Sequence, residues 1–264
     1  MVNKMQAVLI RKELKDVIVE KGKFFTNYML VPLIMAVGIP VMFVLMVIFM
    51  EDGAQLEQIM ALIPNPGGVE HGDFAIINLI FDNVLPMFFL MIPSMISAAM
   101  TASSFTGEKE RRTLETLLYS PMSLREIFNA KIIGAFLLSM LVTAISFVTM
   151  VLVLGLLVWF MLGVVLVPGL TWLIILGLVT PAFAFIGIVF QVKFSATAKN
   201  SQEAFQRSAL LILPLMMLFV AQSAGILMVN VWMLLAVGLG LAIIAWVLMR
   251  TAFRKFTYEE LLKG

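Results

Sequence analysis

The residues able to do chemistry are few, and most stand alone. His71 is the single histidine, with Glu70 and Asp73 close by. An imidazole flanked by carboxylates can hold a divalent cation, yet a solvated acidic loop accounts for all three residues. Cysteine is absent, which excludes disulfides and thiolate metal sites. Asp82, followed by Asn83, is the one carboxylate inside an apolar run. Carboxylates in such runs are costly and often line polar pathways, although hydration near an interface also accommodates one. No Ser/His/Asp array or carboxylate pair occurs within the apolar runs, so an intramembrane enzyme is not expected. ATP hydrolysis by a P-loop needs Gly-x-x-x-x-Gly-Lys-Ser/Thr, whose backbone amides cradle phosphate. The one Gly-Lys, Gly22-Lys23, is followed by Phe24 and has no such loop.

The elements that must position these residues follow from charge and hydropathy. Hydrophobic residues make up 62% of the 264 and charged residues 13%, about half the charge of a soluble domain. All 18 lysines and arginines fall in four clusters: Lys4 to Lys23, Lys109 to Lys131, Lys193 to Arg207 and Arg250 to Lys263. Cytoplasmic loops collect such residues, and one at a bilayer centre costs roughly 2.5–3.5 kcal/mol. Four clusters on one face mean three excursions across a membrane and back. The expected fold is an all-α membrane protein with six transmembrane helices and both termini in the cytoplasm. The loop from Glu51 to Asp73 carries five acids and no base, as expected outside. The N-terminus does not read as a signal peptide, because its apolar run starts only after about 26 residues and no small-residue cleavage site follows.

A span needs about 20 apolar residues. The first stretch holds two, Tyr28 to Met50 and Leu79 to Ser103, separated by the acidic loop with its Pro64, Pro66, Gly67 and Gly68. The second, Ile132 to Val192, carries no charge and would be about 90 Å long as one helix. It therefore crosses twice, with Trp159, Pro168, Gly169 and Trp172 marking an outer turn and the tryptophans an aromatic belt. The third, Ser208 to Met249, has room for two spans with a tight turn near Asn230, or for a re-entrant pair. Pro214 would kink the fifth helix.

Two segments lie outside the spans. Residues 1–26 place Ile10, Leu14, Val17 and Ile18 at helical spacing, with Arg11, Lys12, Lys15 and Asp16 mostly elsewhere around the helix. That describes an amphipathic helix in the inner interface, its bases near anionic headgroups; docking on a partner is the alternative. The segment 105–131 includes GEKERRTLETLLYSPMSLREIFNAK. Leu114, Leu117 and Leu118 share a face, preceded by Glu108, Lys109, Glu110, Arg111 and Arg112. Pro121 ends that helix. Ser123 with Glu126 forms a capping box that starts the next helix, which runs into span three. A short leucine face behind a charged turn suits docking to another protein. Pattern alone leaves a solvated loop equally open. The small-residue run with Ser94, Ser97, Ala98 and Thr101 permits close helix approach. It is a candidate dimer or pathway face, together with Asp82 and Asn83.

The pattern Glu-Lys-Glu-Arg, Thr-Leu-Glu-x-Leu-Leu, Ser-Pro-Met-Ser, then Glu-Ile and Lys131, resembles the cytoplasmic signature of type-two ABC exporter permeases. The stretch FSATAKNSQEAFQRSALLILPL, with Ser195, Ser201, Gln202, Glu203, Ala204 and Pro214, resembles that family's second loop. Arg112 and Ala130 stand where the family often has glycine. The resemblance implies a single permease domain over residues 1–264, with an N-terminal amphipathic interfacial helix and a cytoplasmic coupling helix between spans two and three. It implies a multi-pass protein of the plasma membrane, working with a second permease chain, membrane lipid and separate ABC ATPase subunits. ATP and Mg would be used by those subunits, and this chain would bind no cofactor, no metal and no nucleic acid. Glu108, Glu110, Arg111, Leu114, Leu117 and Leu118 would form the ATPase-coupling site. A gradient-driven transporter or channel, or a non-transporting sensor or scaffold, is the alternative.

The topology has a direct test. Cysteines introduced at Gly67 and Ser201, in a chain that has none of its own, should be labelled from opposite sides of the membrane. Labelling of both from outside would overturn the six-span reading.

Overall fold

The structure is a computed structural model that describes residues 4–19, 21–49, 72–110, 123–198, 200–207, 209–223 and 231–255. Among these every regular element is helical. Six helices are long and apolar enough to cross a bilayer: Phe25–Ile48, Asp73–Ser104, Glu126–Leu162, Leu170–Val192, Gln202–Ala221 and Val231–Arg250. They are spans one to six, and the chain is an all-α, six-span membrane protein. Span two starts about two turns earlier than its hydropathy suggested. Gly72–Leu79 is already helical there and buries Ala75, Ile76 and Ile77. The tight turn near Asn230 lies outside the described residues, as do Glu70 and His71.

Prolines shape spans one, two and four. Each π-helical turn in the chain is followed by a proline two or three residues on: Phe25–Met29 by Pro32, Ile34–Gly38 by Pro40, Ile80–Val84 by Pro86 and Ile175–Val179 by Pro181. Proline has no N–H, and its ring clashes with the preceding turn. Widening that turn to i→i−5 bonding relieves the clash and keeps most of the backbone paired. Span three has no proline, and its helix runs unbroken for 39 residues, Leu124–Leu162. Both of its ends are written in the sequence. Ser123 and Glu126 form the expected reciprocal capping box at its start. Gly163 ends it in the left-handed region at φ 69°, which glycine adopts without a Cβ penalty.

Trp172 departs from the expected aromatic belt. Trp159 is 56% exposed, but Trp172 is fully buried. The reason is a backbone group in span two. Leu85 N–H turns to the Ile80 carbonyl, and Pro86 has no N–H to offer, so the Phe81 carbonyl loses its helical donor. Trp172 Nε1 supplies one at 3.1 Å. An unpaired carbonyl in hydrocarbon costs several kcal/mol, which outweighs leaving the indole at an interface. The ring then packs among Phe81, Phe89 and Phe147, at centroid distances of 5.4, 5.5 and 5.1 Å. Spans two, three and four are joined there.

Span two is the hub. It is the most buried of the six at 61%, whereas spans five and six are only 13% and 11% buried. One apolar cluster, around Phe81, Leu154 and Trp172, fills the end near the acidic loop. A second, around Met100, Ile132 and Ile188, fills the end that carries the basic clusters. Between them a hydroxyl joins spans two and three: Ser139 Oγ donates to the Pro93 carbonyl at 3.1 Å, while Thr143 Oγ1 bonds back to the Ser139 carbonyl of its own helix at 2.7 Å.

Substituting Trp172→Phe keeps the ring and removes the donor. It should destabilise the detergent-solubilised chain by about 1 kcal/mol, the scale of an interhelical hydrogen bond in a bundle, lowering its thermal midpoint. An unchanged midpoint would show that the Phe81 carbonyl does not depend on the indole.

Candidate functional site

The basic end of the bundle gathers both segments that the sequence singled out. The helix containing span two continues through Glu110, and the chain returns at Ser123. Glu108 and Glu110 fall in the last turns of that helix. Arg111, Leu114, Leu117 and Leu118 lie outside the described residues.

Immediately before this segment, three consecutive residues of span two are tied to three different parts of the chain. Ala102 is buried in a cluster with Ala198 and Ala204, from the second signature stretch. Ser103 Oγ donates to the Met100 carbonyl at 2.9 Å and lies 3.3 Å from Tyr28 Oη of span one. A hydroxyl has one proton to give, so Tyr28 donates to Ser103. The Ser104 carbonyl accepts from Lys131 Nζ of span three at 2.8 Å.

The second stretch is built to meet this point. Asn200 starts the helix Ser201–Arg207, its Oδ1 accepting from Glu203 N–H at 2.7 Å. A short polar side chain here satisfies an N–H that the first turn leaves open. Ala204, small enough for close approach, then turns inward, and Gln191 Nε2 of span four donates to its carbonyl at 2.9 Å. Glu203 and Arg207 pair on the outer side at 2.6 Å.

At the opposite end Asp82 has a definite partner. Its carboxylate accepts from Gly169 N–H at 3.0 Å, at the start of the helix leading into span four. The approach is close: a Cβ at position 169 would lie 2.7 Å from Asp82 Oδ2, so the carboxylate would have to shift. Asn83, exposed, donates to the Leu79 carbonyl of its own helix at 3.1 Å. Asp82 therefore fastens the loop between spans three and four to span two, one residue from the Trp172–Phe81 bond.

Ser94, Ser97, Ala98 and Thr101 form one face of span two, as their spacing indicated, and the face is covered within a single chain. All four are buried, and span four packs along span two. A Cβ at Gly187 of span four would sit 3.4 Å from Ser97 Oγ. Ser97 Oγ bonds the Ser94 carbonyl at 2.9 Å, and the Thr101 hydroxyl has no hydrogen-bond partner.

The N-terminal helix Lys4–Val19 packs on the long helix of span three. Gln6 and Ile10 are buried there and Leu14 half-buried, while Ile18 is exposed together with Met5, Val8, Val19, Arg11, Lys12 and Lys15. The expected apolar stripe is thus divided. Its first half docks on the chain itself, and Ile18 joins an outward face that mixes apolar and basic groups.

The sequence reading missed Trp172, Gln191 and the buried role of Lys131. Each carried a signal. Gln191 is the lone amide in a charge-free run, Lys131 stands just inside an apolar helix, and Pro86 comes five residues after the carbonyl it orphans.

Six spans around a central second helix define a polytopic helical membrane protein. The family profile described as "ABC-2 family transporter protein" matches residues 7–234, and the chain belongs to that family. No curated protein and no solved structure matches it significantly.

Gly169→Ala drives a methyl group into the Asp82 carboxylate. It should destabilise the chain by about 1–3 kcal/mol, the usual cost of overpacking. Adding Asp82→Ala should recover part of that loss, so the cycle should be non-additive. Thermal denaturation of the purified variants reads both, and strictly additive losses would show that the two residues do not touch.

Proposed function

We propose that this ABC-2 permease is the pathway-forming subunit of an ATP-driven exporter in the plasma membrane, with its basic end and both termini in the cytoplasm. ATP and Mg are used by separate ABC ATPase subunits beneath it. The segment 105–131 receives their motion, with Glu108, Glu110 and Arg111 setting register and Leu114, Leu117 and Leu118 seated in a groove of the ATPase. Closure of the ATPase subunits on ATP then switches the spans between inward- and outward-accessible states.

The observation that carries this reading is family membership over residues 7–234 in a chain whose sequence has no P-loop. Both support a reading in which the work arrives from an ABC ATPase. The geometry at the basic end supports the same route, because the segment leaves from a well-packed helix and returns through a capped one.

A second permease chain, identical or related, completes the pathway. Spans three to six are charge-free from Ile132 to Val192 and from Ser208 to Met249, so one bundle offers few groups to a polar cargo. The seam at Ser94, Ser97, Ala98 and Thr101 serves as packing between spans two and four, with any role in the pathway arising when those spans part. The same lack of charge counts against a gradient-driven transporter, which places ionisable residues deep in broken helices. A sensor or scaffold is separated from an exporter by transport in the reconstituted complex.

The N-terminal helix lies in the inner interface. Its outward face combines Met5, Val8, Ile18 and Val19 with Arg11, Lys12 and Lys15, which suits acyl chains and anionic headgroups together.

Glu110→Lys reverses a charge in the coupling segment, and Leu117→Asp places one in its leucine face. Either variant should reach the membrane in normal amount yet lower ATP hydrolysis by the assembled complex about tenfold, within the range by which coupling residues act. Full hydrolysis with normal complex yield would remove that residue from the coupling site.

A further inference from the structure

Lys131 is 2% exposed, and its neighbours along span three, Ile127, Ala130, Ile132 and Ala135, are buried as well. A methionine would fill nearly the same volume with no polar head to satisfy, and a buried amine is costly unless it is bonded. What Lys131 gains is a particular connection. Its Nζ reaches the Ser104 carbonyl 27 residues back in the chain.

Those two residues bracket the coupling segment. Ser104 stands where the segment departs from span two, and Lys131 stands two turns into the helix by which it returns. Without a cross-tie, a push on the segment would be absorbed by independent bending of its two ends. With the tie, both ends belong to one body. That body extends further, because Ala102 holds Ala198 and Ala204, and Ser103 accepts from Tyr28. A displacement arriving at residue 105 therefore meets spans one, two and three and the short helix Ser201–Arg207 together.

We infer that Lys131 is the positioning residue of energy coupling, fastening the two ends of the coupling segment so that spans two and three move as a unit. This rests on the reading that the segment receives the ATPase stroke, and the experiment separates the two claims.

The chain lacks cysteine, so Thr106→Cys and Asn129→Cys give a clean pair for spin labels in lipid nanodiscs. Double electron–electron resonance on this pair should show one narrow distance with Lys131 present. Lys131→Met should broaden it, and Lys131→Arg, which keeps a donor, should narrow it again. In parallel, the co-expressed ATP-binding subunit is assayed alone and assembled with each variant. Lys131→Met should lower the stimulation of hydrolysis on assembly by about tenfold at unchanged complex yield, with Lys131→Arg restoring it. Should the methionine variant fail to fold, Lys131→Gln replaces it, since it retracts the donor from Ser104 while staying polar.

An unbroadened distance and full stimulation in Lys131→Met, or identical behaviour of the methionine and arginine variants, would overturn the inference. If the unmodified chain neither binds nor stimulates an ATP-binding subunit, the proposed function falls, and the distance measurement alone decides whether Lys131 is the tie.

Discussion

Within a bilayer every backbone carbonyl that loses its helical donor must find another, and this constraint organises the fold. Pro86 leaves the Phe81 carbonyl without its partner, and the consequence reaches across to span four. Trp172 comes inward to donate, brings its ring among three phenylalanines, and so joins spans two, three and four near the acidic end. The loop before it is then short enough for Asp82 to bind Gly169. One missing N–H thus sets the position of an indole, a carboxylate and a turn.

The two ends of the bundle are closed by different chemistry. Near the acidic loop the fastening is aromatic packing plus two hydrogen bonds from span four to span two. At the basic end it is a lysine, a tyrosine hydroxyl and a patch of alanines, all converging on residues 102–104. Alanine contacts allow close approach but have little apolar area to separate. The bulk of the packing at this end therefore comes from the apolar cluster around Met100, Ile132 and Ile188, and at the opposite end from buried rings. Span five, little buried in a single chain, enters the basic-end fastening only through Ala204, and span six stands outside both.

Much of this was legible in the sequence because it is local. The four basic clusters counted the crossings, the Ser123–Glu126 spacing marked the start of span three, and the proline-glycine pair at 168–169 marked a turn. Periodicity also placed Ser94, Ser97, Ala98 and Thr101 on one face. It could not say what covers that face, because a small-residue stripe looks the same whether it meets its own span four or a second chain. The apolar stripe of the N-terminal helix was ambiguous for a related reason: lipid and a neighbouring helix both accept Ile10 and Ile18. Asp82 was visible as a costly residue, while its partner was a backbone N–H 87 residues away, which no side-chain pattern records. The coupling leucines rest on a motif and lie outside the described residues.

The unbroken helix of span three has a mechanical meaning. Its 39 residues measure about 58 Å at the rise of an α-helix, nearly twice the ~30 Å hydrocarbon thickness. Roughly half of it must stand in the headgroups or in water, and no proline interrupts it. With no proline hinge, a helix that pivots near its middle carries a displacement at Ser123 to Leu162 with opposite sign and similar size, whereas the proline-widened spans one, two and four have compliant turns that absorb such a tilt. Stiffness is thereby distributed unequally, with the long third helix set as a rigid member against the hinged first, second and fourth.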